Sequence, residues 1–302
     1  MSARLLALKA AFGGKIFGRT LLCPTIGHRS EDRGTSYTED FSAPGNLLVK
    51  VHNGNGLDDD LAAKDRALEV LGERDDYKNR EPDPIEEMRR QELQRRAEER
   101  QKANDAWRRR RALEAWRAAR DPRGTPAEVY LRSRGLDLTD SLAGDVLRWH
   151  PAGPWEKGTS PMMIALMRDI VTNEPRAIHR TAITLEGVKI DRMMLGPAKG
   201  TAVKLGAPTG ALVVGEGIET VLSAVRIGYG PGAWALGSAG PIGRLPVLDG
   251  IERLVLLEER DPTSANAVSD CGHRWTRAGR AVSVVTPKRG NDLNDALREV
   301  TA

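Results

Sequence analysis

Apolar residues in this chain come in short blocks whose spacing alternates between that of buried strands and that of helices. In the last third, ALVV at 211–214, LVLL at 254–257 and SVV at 283–285 are rich in Val and Leu, as expected of strands covered on both faces of a parallel sheet. Helical stretches separate them, among them SANAVSDCGHRWTRAG at 264–279, where Cys271 is expected to be buried rather than reactive. Upstream, PMMIALMRDIV at 161–171 has strand character. Arg176 to Thr184 alternates, with Ile178, Arg180 and Ala182 on one face and Ala177, His179, Thr181 and Ile183 on the other. A turn at Glu186–Gly187 and a returning strand from Val188 to Met194 complete a hairpin, and Leu147–His150 adds a short strand. PAEVYLRSRGL at 126–136 reads as a helix closing on a left-handed cap at Gly135, and the opening MSARLLALKAAFGG as a short amphipathic helix.

Between Glu73 and Arg120 the pattern changes to dense charge. Pro82 and Pro84 punctuate its start, and Asp83 is placed to cap a helix with Glu86 and Glu87 in its first turn, where negative charge suits the helix dipole. Glu and Arg then recur three and four apart, which supports a long helix, and no clean apolar stripe accompanies them. Its second half carries Arg108, Arg109, Arg110 and Arg111 between Trp107 and Trp116. Four arginines in a row cover every side of a helix, so some face water and can meet phosphates; a solvated interdomain helix is the competing account. Both tryptophans are expected to anchor the helix in a core. The chain thus divides into segments 1–75, 76–122, 123–208 and 209–302.

Composition narrows the class. In 302 residues, 40% hydrophobic content supports a real core, and a net charge of +4 with pI near 9.1 suits a polyanionic partner. The two cysteines, Cys23 and Cys271, suggest no disulfide framework, which fits a reducing cytosol. No apolar run is long enough for a bilayer and no signal peptide is evident, so a cytoplasmic protein without a membrane partner is expected. No G-x-x-x-x-G-K-[ST] occurs, so no ATPase motor is encoded in this sequence.

Each apolar run of the last third delivers acids at its C-terminal end: Glu216 in GEGIET, Glu259 and Asp261 in EERD, Asp292 and Asp295 in GNDLNDAL. That edge of an open α/β sheet is where ligands bind, and three acidic ends together point to a carboxylate cluster for a hard divalent cation such as Mg²⁺. Side-chain alternation along a strand puts Glu259 and Asp261 on one side and Glu258 on the other. Glu216 is placed to act as a general base or a third ligand, with the Thr220 hydroxyl bracing its turn. Taken singly, each acid reads equally as a solvated strand end or a helix N-cap. His179, Arg180, Lys189, Lys199 and Lys204 offer positive charge for nucleic acid or a triphosphate, against a reading as ordinary surface charge. The small-residue loop Ala235–Gly240 either admits a phosphate to backbone N–H groups or is a tight loop under a neighbour.

GEGIETVLSA, WALGSAG, LVLLEERD and VVTPKRGNDLNDAL, in this order, resemble the Toprim domain of phage- and plasmid-type primases, a DnaG-like core. AIHRTAITLEGVKIDRMMLGPAKGTAVKLG, AEVYLRSRGLDL and LRWHP resemble the region that precedes Toprim in the same proteins, so the resemblance covers roughly 125–300. It implies an α/β fold with a Toprim-type parallel sheet flanked by helices and an antiparallel primase-like subdomain. It also implies template-directed nucleotidyl transfer with Mg²⁺ or Mn²⁺, with Glu216 as catalytic acid/base and Glu259 and Asp261 as metal ligands; Thr220, Asp292 and Asp295 complete the motifs. DNA template, nucleoside triphosphates and a separate replicative helicase are the implied partners, in plasmid, phage or mobile-element replication. Two departures stand out: Glu259 replaces the first Asp of Asp-x-Asp, and Ser264 replaces a small Gly. A Toprim nuclease and a non-catalytic DNA-binding accessory are the alternatives. The N-terminal GRTLLCPTIGHRSEDRGTSYTED and NLLVKVHNGNG resemble the zinc-binding module that opens such primases, in degenerate form. Cys23, His28 and His52 give three ligands at most where four are needed, so zinc is not expected and a remnant held by Leu21, Leu22, Leu47, Leu48 and Val49 is.

Overall fold

A computed structural model of the chain describes residues 2–25, 32–41, 43–52, 57–73 and 84–301. It separates into two compact units, Met1–Lys102 and Ala103–Ala302.

In the first unit, β1 (Lys15–Phe17), β2 (Thr20–Cys23), β3 (Thr35–Glu39) and β4 (Leu47–Val51) form an antiparallel sheet in that order. Helices α1 (Ala3–Phe12) and α2 (Leu57–Val70) pack on it. The Ser2 side chain caps α1 by accepting from the Leu5 N–H, and Asp60 of α2 accepts the Val51 N–H at 2.7 Å. The core comprises Leu5, Leu8, Leu21, Cys23, Tyr37, Leu47, Val49, Val51, Ala63 and Ala67. Two leucines expected there are not: Leu48 is 53% exposed and Leu22 only half-buried. The pleat explains this, because successive residues of β2 and β4 point to opposite faces and only one face is covered. Cys23 lies inside this core, and burial pushes its thiol up to about 11. His52 Nε2 lies 3.1 Å from the Ser36 hydroxyl, while His28 falls outside the described residues.

Helix α3 (Pro84–Ala118) begins in the first unit and ends in the second. Asp83, and the side chains of Glu86 and Glu87, fall outside the described residues. Its first half is laced by surface ion pairs, Glu92 with Arg95 and Arg96 and Arg95 with Glu99. In its second half Ala112, Ala115 and Trp116, followed by Ala119, pack against Met162, Ile164, Leu166 and Ile178. Trp107 is 46% exposed and anchors nothing. Nine residues at 100° each put it half a turn from Trp116, so both cannot face one core.

The second unit is built on one nine-stranded sheet. Its parallel part runs β13 (Ala281–Val285), β12 (Arg253–Leu257), β10 (Ala211–Gly215), β11 (Ala233–Ala235). Antiparallel β9 (Thr201–Lys204) joins this part to β6 (Gly158–Asp169), β7 (Pro175–Ile183) and β8 (Lys189–Leu195), while β5 (Leu147–Trp155) pairs with the earlier residues of β6. The fold is mixed α/β, and the expected antiparallel segment is continuous with the parallel one rather than a separate sheet.

Period two sorts the core of the parallel strands. Val213 and Val255 face one side, with Ile218, Val221 and Leu222 of α5 (Ile218–Arg226) and Leu293 at the start of α8 (Leu293–Thr301). Leu212, Val214, Leu254 and Leu256 face the other, with Ile242 of α6 (Ala239–Gly243) and Val268, Cys271 and Trp275 of α7 (Pro262–Arg277). Cys271 is fully buried, its thiol raised to about 11 by that burial. Helix α4 (Pro126–Ser133) is capped by Thr125 and followed by Gly135 at φ 69°. Among the described residues no helix is long and apolar enough to cross a membrane.

Candidate metal centre

The register Val214↔Leu256 brings the C-terminal ends of β10 and β12 level. Gly215 closes β10, and a Cβ there would lie 2.9 Å from Val221 and 3.1 Å from Leu257, so only glycine lets the chain turn directly into Glu216. The Glu216 carbonyl accepts the Gly237 N–H at 2.8 Å. Gly237 has φ 87°, and a Cβ on it would meet Met194 at 2.0 Å, so the small-residue loop is packed tightly beneath a neighbour at that point.

One ligand oxygen each from Glu216, Glu259 and Asp261 lies within 4.8 Å of the others, the one group among the described residues placed to hold a metal ion. Strand alternation is not the reason. Strand β12 ends at Leu257, and Glu259 and Asp261 stand on the connection into α7. Asp261 is the N-cap: its Oδ1 accepts the N–H groups of Thr263 (2.9 Å) and Ser264 (3.0 Å), with Pro262 at the first helical position. The cap fixes the carboxylate and leaves Oδ2 outside those two bonds.

The electrostatics suit a cation. Burial, then Glu216 and Asp292, push the Glu259 carboxyl up to about 7 against the pull of Arg192. Burial also raises Glu216, opposed by the neighbouring Ser264 side chain, Arg192 and the Ala239 backbone. Oε1 of Glu216 is nevertheless buried with no hydrogen-bond partner among the described residues. An orphaned oxygen beside two more carboxylates is costly without a positive charge, and three hard oxygen donors match Mg²⁺ or Mn²⁺.

The remaining expected residues divide. Asp292 acts on Glu259, and its Oδ1 also accepts the Asp295 N–H at the start of α8. Asp295 belongs elsewhere: it accepts the Asn291 N–H and pairs with Arg134 at 3.6 Å. Thr220 is buried, its hydroxyl 3.3 Å from where a Gly217 Cβ would stand, just behind Glu216. His179 and Arg180 are not presented to a polyanion. Arg180 is buried over the Trp155 ring and donates to the carbonyls of Pro154 and Met194; burial holds His179 near 4 and therefore neutral. Both faces of β7 are covered, which alternation by itself does not reveal. Lys204 sits over Trp234 at 4.3 Å, and Lys199 is exposed. Of the four arginines, Arg108 donates to the Gly196 carbonyl and Arg109 to that of Pro175, fastening α3 to the sheet, while Arg110 and Arg111 are exposed.

Three contributors escaped the sequence reading. Arg192 of β8 is the guanidinium that favours the charged forms of both Glu216 and Glu259. Ser264 is fully buried at the cluster. Glu219, buried one turn from Glu216, accepts from the Tyr130 hydroxyl and faces Lys189 at 3.5 Å. Burial opposes its charge, but Lys189 and Tyr130 outweigh that and hold its carboxyl below the usual range. Only GEGIET offered a signal for Glu219, Ser264 was marked only as a departure from the family pattern, and nothing local marks Arg192.

Comparison with known proteins bears on this geometry. Residues 106–205 match a family described as a domain of unknown function (DUF7146), and residues 211–302 match one described as Toprim domain. No curated protein matches the chain. Similar solved structures include the primase fragment of the bacteriophage T7 primase-helicase protein, 15% identical with TM-score 0.39, covering 56% of this chain and 69% of that one. Another is the Aquifex aeolicus primase (zinc-binding and RNA polymerase domains), 12% identical with TM-score 0.46, covering 99% and 83%. With three acids gathered at the C-terminal ends of parallel strands, the family match identifies residues 211–302 as a Toprim domain.

Proposed function

We propose that this chain is a metal-dependent nucleotidyltransferase that lays down short primers on a DNA template during plasmid, phage or mobile-element replication. The observation that carries this reading is the convergence of Glu216, Glu259 and Asp261 within a Toprim domain. Segment 209–302 carries the metal centre, and segment 123–208 supplies basic groups beside it. Glu259 and Asp261 hold Mg²⁺ or Mn²⁺, which when bound neutralises phosphate charge and lowers the pKa of an attacking hydroxyl. Glu216, its carboxyl already raised, takes or relays the proton. Arg192 and the exposed Lys199 meet triphosphate or template phosphates, and Arg110 and Arg111 meet the template backbone. Unwinding falls to a separate helicase.

The test is primer synthesis on single-stranded DNA with labelled nucleotides and Mn²⁺, sized on a gel. The full chain makes short products, and Glu216→Gln abolishes them while leaving DNA binding within about twofold, since it alters the metal centre and leaves the basic groups that meet DNA in place. Nicking of supercoiled plasmid without any synthesis would replace this reading with a Toprim nuclease. DNA binding with neither activity would replace it with an accessory protein.

A further inference from the structure

Ser264 commits its backbone N–H and its hydroxyl oxygen to the acidic cluster. It is 0% exposed and is the third residue of α7. Its backbone N–H donates to Asp261 Oδ1 at 3.0 Å. Its Oγ accepts the Glu259 N–H at 3.0 Å. Its side chain also lies beside the Glu216 carboxylate and favours the charged form of that group. One buried residue therefore bonds two of the acids, which come from one connection, and lies beside the third, from the neighbouring strand end.

We propose that Ser264 is a positioning residue that locks the three acids into one coordination sphere around a divalent cation. This rests on reading that cluster as a cation site. The lock matters most at Glu259. Its side chain has three rotatable bonds, and it stands on a connection rather than in the sheet. Tying its backbone N–H to the Ser264 hydroxyl fixes the root of that side chain. The same side chain favours the charged form of Glu216, across the gap between strand ends. A site held in place by such outer contacts binds a demanding octahedral ion with less reordering than one whose ligands must first be collected.

The experiment is Mn²⁺ titration of the full chain by calorimetry at pH 8, comparing the parent with Ser264→Ala. Alanine keeps the N–H, and so the Asp261 cap, and loses the hydroxyl that accepts the Glu259 N–H. Mn²⁺ affinity is expected to fall about tenfold, the scale of one hydrogen bond to a charged group. Cys271→Ser, a buried change in the same helix that touches no acid, serves as the control for general destabilisation. It is expected to lower the melting temperature without moving Mn²⁺ affinity. Parental affinity in Ser264→Ala, or an equal loss in both variants at equal loss of melting temperature, overturns the assignment. Absence of Mn²⁺ binding by the parent overturns the cation reading itself, and this inference with it. Hydrogen exchange on the metal-free parent tests the lock without any variant: the Glu259 amide is expected to be protected, and rapid exchange there overturns it.

Discussion

Cys23 and Glu259 are both ligand-type side chains at or just past the end of a strand, and burial raises the pKa of both, to about 11 and about 7. Their surroundings differ. Cys23 is packed among Leu21, Tyr37, Val49 and other apolar groups, so its thiol stays neutral and fills space. Glu259 is packed against Glu216, Asp261 and Asp292, so its charge is disfavoured by like charges that a cation would relieve. Residue type proposes a ligand, but only the company it keeps makes a site.

The sharpest way to break this comparison is to remove one member from each region. Asp261→Asn is expected to abolish primer synthesis, a loss of at least about a thousandfold, as for removal of a group essential to charge stabilisation. Cys23→Ala is expected to leave synthesis within about twofold. Equal losses, read as product yield on a gel, would put the two regions on the same footing.

A smaller effect separates a buried acid from a half-buried one in the second unit, by melting temperature in EDTA at pH 8. Glu219 has partners and is stabilising, so Glu219→Gln is expected to cost about 1–3 kcal/mol by leaving Tyr130 and Lys189 poorly matched. Glu259 is repelled by its neighbours, so Glu259→Gln is expected to raise the metal-free melting temperature. A lowered value for Glu259→Gln would mean that the cluster is not under repulsion.

The pH dependence gives the smallest signal and has a definite sign. The folded-state pKa of Glu259, about 7, lies above its ordinary 4.5. Between those values the folded chain holds a proton that the unfolded chain has lost, so this group makes metal-free stability fall as pH rises from about 4.5 to about 7 and level off above. A divalent cation needs the deprotonated form, so the melting-temperature gain from Mn²⁺ is expected to grow as pH rises through about 7 and to show no such inflection in Glu259→Gln. A gain that is flat from pH 5 to 8 would contradict the assignment.

Much of the fold was legible because it rests on periodicity. The apolar run at 211–214, covered on both faces, the hairpin at Glu186–Gly187 and the cap at Gly135 are local features, and the structure has them. The acids were legible as strand-end residues, but the geometry that gathers them was not: β12 stops at Leu257, and the Asp261 helix cap replaces the expected pleat. Arg192 was missed because the acids it faces belong to other elements and leave no spacing signal, and Ser264 was noted only as a departure from the family pattern although its bonded partners stand three and five residues before it. Arg180 and His179 were misread because sequence shows which faces a strand has, not what covers them; here both are covered. Trp107 and Trp116 were given one role although helical geometry already set them on opposite sides.

The central claim is that Glu216, Glu259 and Asp261 grip a single divalent ion. Electron paramagnetic resonance titration of free Mn²⁺ against the metal-free chain tests it most directly. One ion bound per chain, with binding lost in Glu216→Gln, Glu259→Gln and Asp261→Asn and retained in Cys23→Ala, is the result this account predicts. No binding by the parent, or binding that survives loss of all three acids, would contradict it.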